Sequence, residues 1–555
     1  MRRFGNTTSQ SLHTASPMPA ADALTDGSEV ATCVAAEEHH PPSRSKYLTL
    51  TAMMFAVAMT FIDQTIVAIA SPTIQSKLAL TETGSQWVVN AYLLALAATF
   101  AFGGRLADVL GHRRMVIIGV VGFAASSALC GATPTGGGAQ AWIVIFRALQ
   151  GVFGALMLPA AVAIVVESFP FNERGRAMAV FFTVSGGMTA IGPIAGGFLT
   201  QWTWRAIFWI NVPVAVIALI LTAFAGIAPT RRPGRIDVRG AILVAAGMAL
   251  SVLGLQQAQT WGWGSPLTWL CIIGGLAILA VFVRLQLRTE IPLLQLRIFR
   301  SWPFVVDNAV LFLSMIAFVP VFFFASLYSQ IALHDSANES GLYLLLIFAG
   351  FAPAAQIGGR LLDKRGARRP MVVGSALACV GFALWASKIE TLSLHHQWPF
   401  IVMAGAGMGL IVGPASTDAV NRAIDASYGE VTGITQTVRN YGSSLGLAVL
   451  GTLLTTTFVR HLTTTFEGLG IPAHQASTAA HHAANSRSAA SASGVSAQVQ
   501  HAIALDFASA TRVVLIGMAI ALGASFFAAM RYPRTTRSLG EQAVPVVGQV
   551  APRGT

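Results

Sequence analysis

The sequence predicts an all-α integral membrane protein with fourteen transmembrane helices, built as two six-helix halves of like orientation plus an inserted pair. Three observations predict it. Only 10% of the 555 residues are charged and 54% are hydrophobic, against about 25% charged in ordinary soluble proteins. Fourteen apolar runs are each long enough to cross a hydrocarbon core, which takes about 20 helical residues. A twelve-residue loop motif occurs twice at one constant offset. The first two observations exclude a soluble enzyme, a disordered scaffold and a fibrous protein.

Residues 1–46 are polar and rich in Ser, Thr, Ala, Pro and His. No short apolar core follows Arg2 and Arg3, so this stretch reads as a disordered tail rather than a signal peptide. The apolar runs cover 48–72, 84–104, 114–131, 141–165, 177–200, 205–228, 238–257, 267–285, 303–328, 341–360, 370–387, 399–416, 431–457 and 509–530. None shows the ten-residue alternation of a membrane barrel, so each is expected to be a helix that satisfies its own backbone. Turn residues punctuate the connections, as in the GATPTGGG of Gly131–Gly138. The segment 458–508 is the one long connection on the outer side; its Ala, Ser and His content predicts a flexible loop with one short helix, and 475–500 is expected to be dispensable for folding. Residues 531–555 form a second tail.

Orientation follows from the basic residues. With the N-terminus inside, 27 of the 35 Lys and Arg fall in inner segments and 4 in outer ones. That bias places both termini in the cytoplasm and supports an even number of spans. The net charge of +12 is thus membrane topology rather than a nucleic-acid surface. Cys33, Cys130, Cys271 and Cys379 are too widely spaced for a disulfide framework or a zinc site, and the twelve histidines fall in tails and loops. No metal centre is expected.

The repeated motif is GGRLADVLGHRR at Gly103–Arg114 and GGRLLDKRGARR at Gly358–Arg369, identical at eight of twelve positions with an offset of 255. Pro159 and Pro414, and Gly154 and Gly409, share that offset. Both copies follow an outside-to-inside span, so the halves are parallel repeats, the mark of a major facilitator fold. The expected division is an N-terminal half over 47–230, an inserted pair over 231–290 and a C-terminal half over 291–530. The chain further carries DQTIVAIASPTI (63–74), QWVVNAYLL (86–94), RALQGVFGA (147–155), FPFNERGRAM (169–178), GMTAIGPIAGGFL (187–199) and WTWRAIFWINVP (202–213). With the loop motif these resemble the fourteen-span drug:proton antiporters of the major facilitator superfamily, the EmrB/QacA-type multidrug exporters. Position 68 is Ala, where that family usually has Asn.

Single residues carry the chemistry. Asp63 lies about 15 residues, roughly 22 Å, above the inner end of span 1. A carboxyl there is costly to insert, by at least about 2.5 kcal/mol, and is poised between the opposed effects of burial and a nearby cation. Arg147 lies roughly 9 Å below the outer edge of span 4, at similar depth, so the two can meet. The resemblance implies proton coupling for this pair; a structural ion pair is the alternative. Asp108, with Gly104, Gly111, Arg113 and Arg114, forms a tight charged turn that the resemblance implies is a conformational latch, with Asp363 in the second copy. Gly187, Gly192, Pro193, Gly196 and Gly197 read as a close-packed, bendable helix, and the resemblance adds that this motif is typical of exporters. Asp307 and Arg439 are expected as a structural pair in the second half, or less readily as a second coupling site.

Candidate cavity residues are Phe61, Gln64, Gln150, Met157, Phe312, Met315 and Met403, since aromatic and Met side chains suit promiscuous apolar binding. Spans 10, 11 and 12 lack Asp and Glu between their ends, so neutral lipophiles and monocations are the expected substrates. Gly442–Gly446 fits a hydrolase elbow only in spelling, because it lies inside an apolar helix. Lys46, Lys77, Lys364 and Lys388 are the only lysines and none belongs to a phosphate-binding loop. The expected activity is export of lipophilic small molecules or drugs across a bacterial inner (plasma) membrane. It uses no cofactor beyond the proton as coupling ion. The bilayer is its surroundings, and a periplasmic adaptor is a partner if the cell has two membranes. A dedicated exporter of one metabolite and a non-transporting membrane sensor are the alternatives.

Overall fold

The computed structural model describes residues 43–80, 82–227, 237–289, 292–422, 428–468, 471–485 and 497–533. The expected tails, and the centre of the expected outer loop, lie almost wholly outside the described residues. Among those residues fourteen long helices follow one another: α1 (Ser43–Leu78), α2 (Glu82–Leu110), α3 (His112–Gly131), α4 (Ala139–Ser168), α5 (Arg174–Trp202), α6 (Ala206–Phe224, interrupted at Ile210), α7 (Val238–Trp261) and α8 (Pro266–Gln286). Then come α9 (Trp302–Ala332), α10 (Ala337–Arg365), α11 (Arg368–Lys388), α12 (Leu394–Asn421), α13 (Tyr428–Gly468) and α14 (Ala497–Met530). Thirteen of them are long and apolar enough to cross a membrane. The fourteenth, α5, is 29 residues long, well over what a span requires.

The packing pairs α1 with α5, and α4 with both α2 and α3. Further along, α12 pairs with α10 and α11, and α14 packs on α9, α11 and α13. One buried apolar cluster is made by α1 to α6, and another by α9 to α14. Two seams join these groups, α2 against α13 and α5 against α10. They are the same seam twice, since α2 and α5 correspond to α10 and α13 under the 255-residue repeat. Prolines sit inside α4 (Pro159) and α12 (Pro414) at equivalent places, where they remove a backbone hydrogen bond and permit a bend.

Helices α7 and α8 pack on each other, and α7 also lies on α2 and α13. Val244, Met248 and Val252 of α7 share a cluster with Ala97 and Ala101 of α2 and with Val431 and Ile434 of α13. The pair therefore covers one seam. The other side of α8 carries Leu270, Ile273 and Leu276, all exposed, which suits contact with lipid. Exposed Trp202, Trp209, Trp269, Trp302 and Trp398 lie at or near helix ends, as expected of side chains that favour the membrane–water boundary.

The outer connection differs from expectation. Helix α13 runs to Gly468 and α14 begins at Ala497, so the interruption is far shorter than 458–508. The helices stay packed together past the ends of the apolar runs: Phe458 and Phe507 meet edge to face at 5.0 Å, and Thr465 donates to Asp506 at 2.7 Å. A short helix, Ala473–Asn485, packs on α13 and buries Ala476 and Ala480 completely. Hydropathy measures the bilayer, whereas Ala- and Thr-containing helix continues past it wherever a neighbouring helix offers packing. The part of 475–500 that reaches Ala480 is therefore core, not dispensable loop.

Candidate functional site

Asp63 and Arg147 meet. Both are essentially fully buried, and an Arg147 Nη donates to Asp63 Oδ2 at 2.5 Å. Gln150, one helical turn from Arg147, closes the network: its Nε2 donates to Asp63 Oδ1 at 2.9 Å and its Oε1 accepts from Arg147 at 2.7 Å. Arg147 Nε donates to the Val88 carbonyl at 2.7 Å, and the guanidinium lies 4.4 Å from the centre of the Tyr92 ring. The Tyr92 hydroxyl donates to the Thr60 carbonyl at 3.3 Å. A single cation thus ties α4 to α1 and α2. The geometry can hold Asp63 as a carboxylate, and a proton arriving at either oxygen would remove the anion that faces the guanidinium.

Gly192 and Gly196 of α5 lie against α1 at the same level. A Cβ on Gly192 would meet Thr65 Oγ1 at 1.9 Å, and one on Gly196 would meet Ile66 Cγ1 at 3.0 Å. The two glycines admit α1 at Ile62, Thr65 and Ile66, the turn that carries Asp63, which is what the small-x-x-x-small spacing is for. Gly187 has open space around it, and Gly197 accepts from the Thr200 hydroxyl at 3.1 Å. The Pro193 side chain lies outside the described residues.

Two carboxylates bind helix N-termini across the seams, at the face where α1 begins and α14 ends. Asp108 accepts from the Gly429 N–H at 3.2 Å, at the start of α13, and from His112 Nε2 at 3.0 Å. His112 Nδ1 reaches Glu167 at 3.3 Å. Asp363 accepts from the N–H groups of Gly175 and Arg176, at 2.9 and 3.2 Å, at the start of α5. Partial positive charge at a helix start favours a carboxylate there. The turn after each carboxylate passes through a glycine at positive φ, Gly111 at 98° and Gly366 at 76°. Such backbone suits glycine alone. Gly104 packs against the carbonyl of Gly429, with only 2.3 Å available to a Cβ. Arg113 and Arg114 begin α3, the latter exposed. Arg174 adds contacts to Asn421 and Tyr428, each at 3.3 Å.

The other expectations are met unevenly. Gln150 was a cavity candidate by composition; both ends of its amide are instead engaged by the Asp63–Arg147 pair. Met157 is fully buried and packs against Gly119 of α3, away from the α1–α5 contact. Met315 is also buried, with its Cβ 3.3 Å from where a Cβ on Gly442 of α13 would stand. Phe61, Gln64, Phe312 and Met403 are partly exposed. Asp307 does not meet Arg439. It is fully buried 3.7 Å from Arg422, beside Asp418, and Arg422 bonds Asp418 at 2.9 Å. Tyr532 also donates to Asp418 at 2.5 Å, and burial with that carboxylate pushes its phenol above its ordinary range. The expected pairing failed because the cation that serves Asp307 lies just past the end of α12, outside any apolar run.

Sequence reasoning missed His112 and Glu167 as companions of Asp108. The signal was present: His112 follows Asp108 by four residues, the spacing that places two side chains on one face. It also missed that each carboxylate takes main-chain partners, which no side-chain pattern announces.

Among known proteins, the family model described as Major Facilitator Superfamily matches residues 53–447. The chain is 36% identical over 413 residues to the tetracenomycin C resistance and export protein of Streptomyces glaucescens, covering 73% of this chain and 75% of that one. It is 32% identical to the cephamycin export protein CmcT of Amycolatopsis lactamdurans, over 73% of this chain and 84% of the relative. Among solved structures, the proton:xylose symporter XylE superposes with a TM-score of 0.56 at 12% identity, over 89% of this chain and 97% of that one. A family match across most of the apolar core, relatives that share a third of its residues, and paired helix groups of this topology lead to one assignment: the chain belongs to the major facilitator superfamily of membrane transporters.

Proposed function

We propose that this protein is a proton-coupled exporter of lipophilic small molecules across a bacterial plasma membrane, with both termini in the cytoplasm. The observation that carries the reading is the Asp63–Arg147–Gln150 network, buried between α1, α2 and α4 at the level where α5 glycines meet α1. The names of the relatives, export and resistance proteins, give the direction of transport. The excess of Lys and Arg at the face holding both chain ends supports the orientation.

In this reading α1 to α6 and α9 to α14 are the two rocking halves, over 47–230 and 291–530, and α7 with α8 (231–290) rides on their seam. The latches of Asp108 and Asp363 seal the cytoplasmic side. Substrate leaves from the centre when the outer side opens. A proton from outside then neutralises Asp63, Arg147 loses its counter-charge, and the α1–α4 packing shifts. The latches release, the proton departs inward, and substrate enters again. No cofactor takes part. An adaptor docking on the projecting ends of α13 and α14 belongs to this reading only in a cell with two membranes.

A dedicated exporter of one metabolite would share every one of these features, so breadth is a separate measurement. Inverted vesicles loaded with a panel of labelled lipophiles, with and without an imposed pH gradient, test the reading. Uptake that responds to the gradient supports it. Absence of gradient-driven uptake of any compound, from protein that is folded and inserted, favours a sensor.

A further inference from the structure

Arg439 is a cation without a counter-ion among the described residues. It lies in α13, 92% buried, and among the described residues no carboxylate comes within ion-pair distance of it. Its guanidinium stacks on Phe182 of α5, 5.0 Å from the ring centre, and its Nε is buried without a hydrogen-bond partner. It stands eleven residues above the start of α13, roughly 16 Å, near the middle of a core about 30 Å thick. That is the depth at which this fold holds its ligands, between the repeats.

The surroundings supply no hidden compensation. Between Arg176 and Arg205, α5 has no ionisable residue, and α12 has none between His396 and Asp418. In α9 the one carboxylate is Asp307, about 7 Å from the helix start and shared with Arg422. In α2 no titratable group lies between Tyr92, which is bonded to α1, and Arg105. On α13 itself Tyr441 packs towards α2 and α7, and Glu430 is bonded to the Gln295 N–H. Asp63 and Arg147 cancel each other. The middle layer of the membrane therefore carries one net positive charge. Along α13 the buried Thr432, Thr435, Arg439 and Ser443 fall at helical spacing on one face. Among the described residues the hydroxyls of Thr432 and Thr435 have no hydrogen-bond partner.

The geometry points to Arg439 as the recognition group for an anionic aromatic substrate, a planar carboxylate or phenolate. The Nε edge of the guanidinium receives the oxyanion while Phe182 holds its face. An edge-on guanidinium offers a planar anion two parallel donors, and a buried unpaired cation gains most from a partner that brings a charge. The inference rests on the export reading for its word substrate, though not for the binding site. It also revises the expectation of neutral and monocationic substrates, which weighed the missing carboxylates of α10 to α12 and not the unpaired arginine of α13.

Binding of 9-anthracenecarboxylate and of its uncharged carboxamide to the full-length protein in nanodiscs is the test, read by titration calorimetry. The native protein should bind the carboxylate about tenfold tighter than the amide or better, the effect of one charged hydrogen-bonded contact. Arg439→Gln should abolish that preference, and Arg439→Lys should retain part of it because the charge persists without the fork. Equal affinity of the native protein for both compounds, or a preference that survives Arg439→Gln, overturns the proposal. If Arg439→Gln does not fold, the native comparison and Arg439→Lys decide. Transport of the same pair into inverted vesicles separates the two readings. Anion-selective binding without gradient-driven transport sustains this site and sinks the export reading.

Discussion

Replacing Asp63 with Asn tests the coupling site and is also a stability experiment. In isolation, removing an intramembrane acid should ease insertion. The structure reverses that expectation, because Arg147 is 99% buried and Asp63 supplies its one carboxylate among the described residues. Asp63→Asn keeps one acceptor and removes the charge. Removing one partner of a buried pair costs about 3–5 kcal/mol, and a remaining neutral acceptor returns about 1 kcal/mol of that. We expect Asp63→Asn to lose about 3 kcal/mol, and Arg147→Gln alone to lose a similar amount. The double variant Asp63→Asn/Arg147→Gln should recover most of the loss, since it leaves no unpaired charge. Gradient-driven export should be absent in all three. The assays are thermal unfolding of purified protein and proteoliposome transport under an imposed pH gradient. Asp63→Asn at native stability would show that the guanidinium does not depend on this carboxylate. Uphill transport at the native rate in the stable double variant would remove the pair from coupling.

Other perturbations follow from the same contacts. Gly104→Val puts side-chain atoms where only 2.3 Å separates a Cβ from the Gly429 carbonyl; it should unseat the Asp108 latch and raise labelling of a cysteine placed at the inner seam by thiol reagents added from the cytoplasmic side. Asp363→Ala leaves two N–H groups of α5 without their acceptor and should shift the same labelling in the same direction, with Asp108→Ala/Asp363→Ala exceeding either single change. Gly192→Val meets Thr65 at 1.9 Å from its Cβ and should abolish export while lowering the yield of folded protein. Deleting 486–496 should leave the thermal midpoint unchanged, whereas deleting 473–496 should lower it, since Ala476 and Ala480 are buried.

The number of spans, their order and the depth of Asp63 against Arg147 were legible because they depend on hydrophobic length and helical rise, quantities a sequence carries directly. The ends of α13 and α14 were not, because a helix stops where its packing stops, and packing is not written in hydropathy. Gln150 reads as a polar residue in an apolar helix, which suits a cavity and an ion-pair network equally; only its three-residue distance from Arg147 pointed to the latter. Asp307 was matched with Arg439 because repeat arithmetic looks for a partner inside the spans. Arg422 lies just after the last residue of α12 and escaped that search. Arg439 then remained stacked on Phe182 with no counter-ion among the described residues, which elimination over side chains can reveal only once every distance is known.

The two carboxylate contacts across the seams have a consequence for how this chain can change over generations. Each carboxylate is received by main-chain N–H groups, at Gly429 on one seam and at Gly175 and Arg176 on the other. Every residue but proline supplies that donor, so the receiving helices are free to drift in side-chain identity without losing the contact. The freedom ends where space does: a Cβ at Gly175 or Gly429 would stand 2.4 and 2.5 Å from the incoming carboxylate oxygen. In the export reading, residues a few turns further along α5 and α13 can therefore be exchanged for new specificities while these contacts at their inner ends stay the same. In that reading, selection on what is carried is uncoupled from selection on how the carrier shuts.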